Sequence, residues 1–175
     1  MNLNTRLLLV PLASLAVLAC ALVKDASPSL AAVNEIAADE SPSPDSFSLV
    51  VLHPSHGDLA GLLAGHALRA AELDRELFVE FSAEWCPSCV ILERSLTDER
   101  MVEALRGVYL IRLDIDEWQG RLSETRFIVL GVPTFVELDG EGVSTGRTIT
   151  GADWGPDTPE NMAPVLLEFF GGASG

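Results

Sequence analysis

Two cysteines three residues apart, in Trp85-Cys86-Pro87-Ser88-Cys89, are the residues of this 175-residue chain whose spacing most directly permits chemistry. At the start of a helix that spacing lets two thiols close a disulfide and open it again without moving the backbone. The preceding run, Leu77-Phe78-Val79-Glu80-Phe81-Ser82, is rich in β-branched and aromatic residues and predicts a strand, while the run 90–96 predicts a helix. The pair is thus expected at a strand-to-helix turn. Pro87 fits a first helical turn, where its missing N–H costs nothing, and the unpaired amides and positive dipole end there favour a thiolate. Cys86 is the better nucleophile on this reading. Cys89, one turn deeper, is expected to be more buried and to act second, on the mixed disulfide that Cys86 forms with a partner.

The same spacing also supplies two ligands to structural zinc, which needs about four N or S donors. His53, His56, His66 and Cys20 are the other soft donors, and His53-Pro54-Ser55-His56 followed by a distant Cys-x-x-Cys is a weak match to zinc spacings. Redox chemistry is the stronger reading, with no metal and no cofactor, because bulky Trp85 before the pair and Pro87 within it suit an exposed reactive turn. Glu80 interrupts an apolar run that should form a central strand covered on both faces. Its carboxylate is therefore expected to be desolvated and its pKa raised. Glu84, by the same test, reads as a surface residue.

Glu84-Trp85-Cys86-x-x-Cys89 after an apolar strand carrying one acid, followed by Gly131-Val132-Pro133-Thr134-Phe135, resembles the thioredoxin family over roughly residues 46–170. The resemblance is strongest to the periplasmic thioredoxin-like domain of the thiol:disulfide interchange proteins. It implies a cis Val132–Pro133 bond beside the disulfide, a docking groove of Trp85, Pro87, Val132, Pro133 and Thr134, and a proton exchange between Glu80 and Cys89 through water. It also implies protein thiol and disulfide substrates and an electron donor of unidentified kind. Two positions depart from the family pattern: Pro-Ser stands between the cysteines, and Val90 stands where a basic residue often follows them. Losing the cation disfavours the Cys86 thiolate, whereas a hydrogen bond from Ser88 would restore it, so these two residues leave the redox poise open. The expected function is thiol–disulfide exchange in the reductase direction. A thioredoxin-fold binding or metal-site assembly module without general turnover is the alternative.

A net charge of −15 argues against nucleic-acid binding and against an electrostatic grip on anionic membranes. Residues 1–23 carry one cation followed by an apolar run, which reads as a secretory signal or short membrane anchor. Val17-Leu18-Ala19-Cys20 resembles a bacterial lipobox, which makes Cys20 the lipidation candidate. Export to the periplasm or cell envelope follows, with the N-terminus as the membrane attachment and the exported domain a monomer. Residues 24–45, rich in Ala, Ser, Pro and Glu, form a tether that cannot bury much apolar surface.

The remainder, 46–175, has the length of one domain. Strands are expected over 47–52, 77–82, 109–114, 134–138 and 144–149, and helices over 58–73, 86–96, 99–105 and 161–170, with a helical or irregular piece at 123–126. Asp139-Gly140 signals a hairpin, and the alternation before it implies parallel pairing. The fold class is α/β: a thioredoxin-like mixed sheet with helices on both faces. The connection 153–164, with Trp154 and three prolines, is longer than the fold requires and is expected to pack as a surface loop rather than act as a lid.

Overall fold

The computed structural model of the protein describes residues 46–122 and 125–172. The apolar N-terminal run, Cys20, the tether and residues 123–124 lie outside the described residues. Among the described residues no helix is long and apolar enough to cross a membrane.

The elements are β1 Ser48–Leu52, α1 Leu59–Glu72, β2 Glu76–Ser82, α2 Pro87–Ser95, α3 Glu99–Ala104, β3 Val108–Asp114, β4 Thr134–Leu138, β5 Ser144–Thr150 and α4 Pro159–Gly171. They build one five-stranded sheet in the order β1-β3-β2-β4-β5. β3 pairs in parallel with both β1 and β2, whereas β4 runs antiparallel to β2 and β5. The strand that leads into the cysteine pair is therefore the middle of the sheet. Its near-continuous apolar run fits burial on both faces.

Side-chain alternation divides that burial. Leu77, Val79 and Phe81 of β2 meet Leu59, Leu63, Ala67 and Ala70, a helical stripe of α1. Phe78 faces the other way, with Leu110 and Phe135, against Leu92 of α2, Met101 and Ala104 of α3, and Met162, Leu166 and Phe170 of α4. The Phe78 and Phe170 rings sit edge to face at 4.7 Å and Phe135 and Phe170 at 5.7 Å, which seats α4 over β2 and β4. Glu80 and Arg112 alternate onto this second face, the one α2 packs against.

Local signals explain most boundaries. Asp58 caps α1 by accepting the Gly61 N–H at 2.8 Å, and Asp98 caps α3 through the Arg100 N–H at 2.9 Å. The β4–β5 hairpin forms where Asp139-Gly140 predicts it, by different turn chemistry. Asp139 Oδ1 accepts the N–H groups of Glu141 and Val143, each at 2.9 Å, and the left-handed residue is Gly142 at φ +78°, not Gly140. A Cβ on Gly142 would also lie 2.7 Å from the Leu63 carbonyl, so α1 approaches the hairpin too closely for any side chain there. The final helix starts at Pro159, shortening the preceding connection. Within it Trp154 is buried against Phe135, so the segment is packed, as expected of a surface loop.

Candidate active site

β2 ends at Ser82, and the chain turns through Ala83-Glu84-Trp85 so that Cys86 becomes the N-cap of α2 with Pro87 as its first helical residue. Cys86 and Cys89 are joined as a disulfide with Cα atoms 5.2 Å apart. The Cys89 N–H points at Cys86 Sγ from 3.1 Å, one of the orphan amides of the helix end aimed at the first sulfur. On its other side Cys86 Sγ lies 3.5 Å from the Val132 carbonyl oxygen. The Val132–Pro133 peptide is cis. The expected difference in burial is absent, however: Cys86 is 4% exposed and Cys89 3%. What distinguishes Cys86 from Cys89 is its N-cap position, not accessibility, because the Ala83-Cys86-Cys89 cluster is packed by Ile115 and Val132.

The expected groove residues come together with different degrees of freedom. Trp85 is 63% exposed, its indole N–H held by Asp116 Oδ2 at 2.6 Å, and Pro87 is exposed beside it. Val132 is half-buried. Thr134 is buried, and its hydroxyl donates to the Gly131 carbonyl at 2.7 Å, so its side chain is spent on its own turn. Pro133 is buried and its carbonyl accepts the Gly151 N–H at 2.9 Å. Apolar Ile128 and Leu130, in the segment leading to this turn, are 77% and 96% exposed.

Ser88 does not serve Cys86. Its hydroxyl donates to Asp157 Oδ2 at 2.7 Å, and the Trp154 indole N–H donates to Asp157 Oδ1 at 2.9 Å. The hydrogen bond available to the Cys86 sulfur comes from the Cys89 backbone instead.

Glu80 is fully buried, and burial pushes its carboxyl above the ordinary glutamate pKa. The structure adds a partner: Arg112, opposite Glu80 in the β2–β3 register, donates from Nε to Glu80 Oε2 at 3.0 Å and pulls in the opposite direction. The contact is one-pronged, because Glu80 Oε1 and Arg112 Nη2 are both buried without a protein partner. Arg112 Nη1 also reaches Glu93 Oε1 on α2 at 3.2 Å, and the Glu93 charge raises the Glu80 pKa further. A cavity of about 210 Å³, lined by Cys89, Ser82, Arg112 and Glu93 among others, runs beside the second sulfur. The histidines have other partners: His53 Nδ1 lies 2.7 Å from Glu117, and His66 Nδ1 lies 2.8 Å from the Tyr109 hydroxyl. Among the described residues no cluster of three or more His, Cys, Asp or Glu side chains is placed to hold a metal ion.

Residues 63–140, which span β2, the cysteine pair and the cis-proline turn, match the family model described as thioredoxin-like. This part of the chain has a thioredoxin-like fold. It is 36% identical over 80 residues to the thiol:disulfide interchange protein DsbD of Ralstonia nicotianae, covering 43% of this chain and 13% of that protein. It is 30% identical over 108 residues to the thiol:disulfide interchange protein TxlA of Synechococcus elongatus, covering 58% of this chain and 56% of that protein. The chain thus spans only 12–16% of the length of three DsbD relatives and about half of TxlA. A disulphide isomerase from Xylella fastidiosa superimposes with a TM-score of 0.51 at 16% identity, covering 69% of this chain and 94% of that one, which supports the fold.

Three side chains of the thioredoxin-like fold's site escape a reading of the motif: Arg112, Trp154 and Asp157. Arg112 leaves a trace, since it interrupts the apolar strand Tyr109-Leu110-Ile111-Arg112-Leu113 as Glu80 interrupts β2. Two opposite charges, each alone in an adjacent buried strand, are a pairing signal. Asp157 leaves none.

Proposed function

We propose that this protein is an extracytoplasmic thiol–disulfide oxidoreductase that reduces disulfides in protein substrates through Cys86 and Cys89. The observation that carries the reading is the Cys86 sulfur at the mouth of α2, with the Cys89 N–H 3.1 Å away and the cis-proline turn 3.5 Å away on its other side. A developing thiolate is stabilised there by the amide and the helix end. The substrate backbone lies along Val132 and Pro133 beside the exposed Trp85. Uncovered Ile128 and Leu130 supply apolar surface of the kind a protein partner covers.

In the reducing direction the Cys86 thiolate attacks one sulfur of the substrate disulfide, forming a mixed disulfide and releasing the first substrate thiolate. The Cys89 thiolate then attacks Cys86 Sγ, the mixed disulfide breaks, and the second substrate thiolate leaves. Two electrons pass to the substrate, the pair ends as the observed disulfide, and the two thiol protons finish on the substrate sulfurs. An external dithiol donor resets the pair. Glu80, buried on the face that α2 covers, takes the proton that Cys89 must lose, and Arg112 holds its carboxylate in place. The N-terminal apolar run, with Cys20 as lipidation site, exports and anchors the chain, residues 24–45 tether it, and the exported domain acts as a monomer. Export supplies an oxidising setting, in which a cysteine pair works as a reductase only with an electron supply.

Replacing Cys89 with Ala leaves mixed disulfides on Cys86 that accumulate and can be recovered with their partners. Equal trapping by Cys86→Ala would reverse the assigned order, and no trapping by either variant would end the catalytic reading.

A further inference from the structure

Ser88, one of the two residues between the cysteines, is fastened to a segment far along the chain, and the proposed exchange does not require that link. Ser88 Oγ donates to Asp157 Oδ2 at 2.7 Å, and Trp154, 5% exposed, donates its indole N–H to Asp157 Oδ1 at 2.9 Å. The same segment grips the other half of the site. The Gly151 N–H donates to the Pro133 carbonyl at 2.9 Å, and a Cβ on Gly151 would stand 3.0 Å from Pro133 Cδ and 3.5 Å from the Trp154 ring. Thr150 and Asp153 lock the turn, Asp153 Oδ2 accepting the Thr150 N–H and hydroxyl, each at 2.8 Å. The first turn of α2 and the cis-proline turn are thus held by one packed connector, and its contact with α2 is a carboxylate.

From this geometry we infer that Asp157 is a positioning residue of the cysteine pair: through Ser88 it fixes the first turn of α2, and its charge there opposes the Cys86 thiolate and keeps the couple reducing. The inference rests on the exchange reading above and gives its reducing direction a physical cause. A negative charge at a helix N-terminus favours the helix but disfavours a second negative charge forming at the same end. A less stabilised thiolate means a less stabilised reduced form, hence a couple that gives up electrons more readily. Other charged groups face the pair from different sides, with His53, Asp114 and Glu117 lining the cavity beside Cys89. Glu84 is in the turn before it, Asp116 is held against Trp85, and Arg112 with Glu80 and Glu93 lies on the Cys89 side. Val90 adds no cation to offset Asp157.

The test compares the full chain with Asp157→Asn, Asp157→Ala and Ser88→Ala, each fully reduced, by the rate of Cys86 alkylation with iodoacetamide across pH and by redox equilibrium against glutathione. Both Asp157 variants should carry an about three- to tenfold larger Cys86 thiolate fraction below the thiol pKa, where one pKa unit is about tenfold. Their equilibrium should shift toward the reduced form by a comparable factor. Ser88→Ala keeps the charge and should show no such gain. Two independent Asp157 variants guard against one that folds poorly. Alkylation within twofold of the parent in both, or an equal gain in Ser88→Ala, overturns the role given to Asp157. A parent pair that never equilibrates with glutathione refutes the catalytic reading itself, which is a separate result.

Discussion

Replacing Arg112 with Met removes the cation from a buried carboxylate and keeps an apolar stem of similar length. Glu80 is 0% exposed and Arg112 8%, with Nε and Oε2 3.0 Å apart. Breaking a buried pair from one side costs about 3–5 kcal/mol because a charge is left without compensation. That range corresponds to roughly 160- to 5000-fold in the folding equilibrium. Glu80 has an escape, which gives the effect its pH signature. Burial already raises its pKa, and Arg112 is the main opposing influence, so losing Arg112 raises it further. The native state then holds a proton that the unfolded state has released, and stability falls as pH climbs from the ordinary glutamate range to the raised native value. The loss should therefore be small near pH 5 and approach its full size at pH 7.5. Urea unfolding at the two pH values measures it. With m of about 1–3 kcal/mol/M, a 3 kcal/mol loss moves the midpoint by about 1–3 M. Adding Glu80→Gln to Arg112→Met should recover most of the neutral-pH loss, since the stranded charge is gone. A loss equal at both pH values, or below about 1 kcal/mol at pH 7.5, or one the double variant fails to relieve, would refute the pairing argument.

Glu80→Gln alone should slow disulfide reduction at neutral pH by a factor of up to about 10²–10⁴, the span of general acid–base assistance. It should also flatten the pH–rate profile, and an unaltered profile would remove Glu80 from the mechanism. Gly142→Ala should cost at least about 1–3 kcal/mol for its left-handed backbone at φ +78°, with a further loss as α1 yields to the new methyl 2.7 Å from the Leu63 carbonyl. Thermal unfolding reads this directly, and an unchanged midpoint would place the hairpin further from α1.

What the sequence discloses and what it conceals divide along the range of the interactions. Strand β2 is legible because Leu77, Val79 and Phe81 with Phe78 make both faces apolar, and a strand apolar on both faces must be central. The start of α2 is legible to within a residue because Pro87 suits the first helical turn, and the structure makes Cys86 the N-cap and Pro87 the first helical residue. The hairpin at Asp139 is legible in place but not in kind, since several glycines compete for the left-handed position and the choice of Gly142 is made by Leu63 of α1, a contact between distant segments. The equal burial of the two sulfurs is of the same type: helix geometry ranks Cys89 deeper, but Val132 closes over Cys86 from a turn 46 residues away. Ser88 looks free to serve its neighbour until Asp157 arrives 69 residues later. The last two of these contacts, from Val132 and Asp157, converge on the cysteine pair. The motif places the sulfurs and the Cys89 amide beside them, while Arg112 on β3 and Asp157 in the connector after β5 bring charges that the motif does not encode. Variants at Arg112 and Asp157 should therefore alter proton affinity and redox poise in a chain whose cysteine motif is untouched.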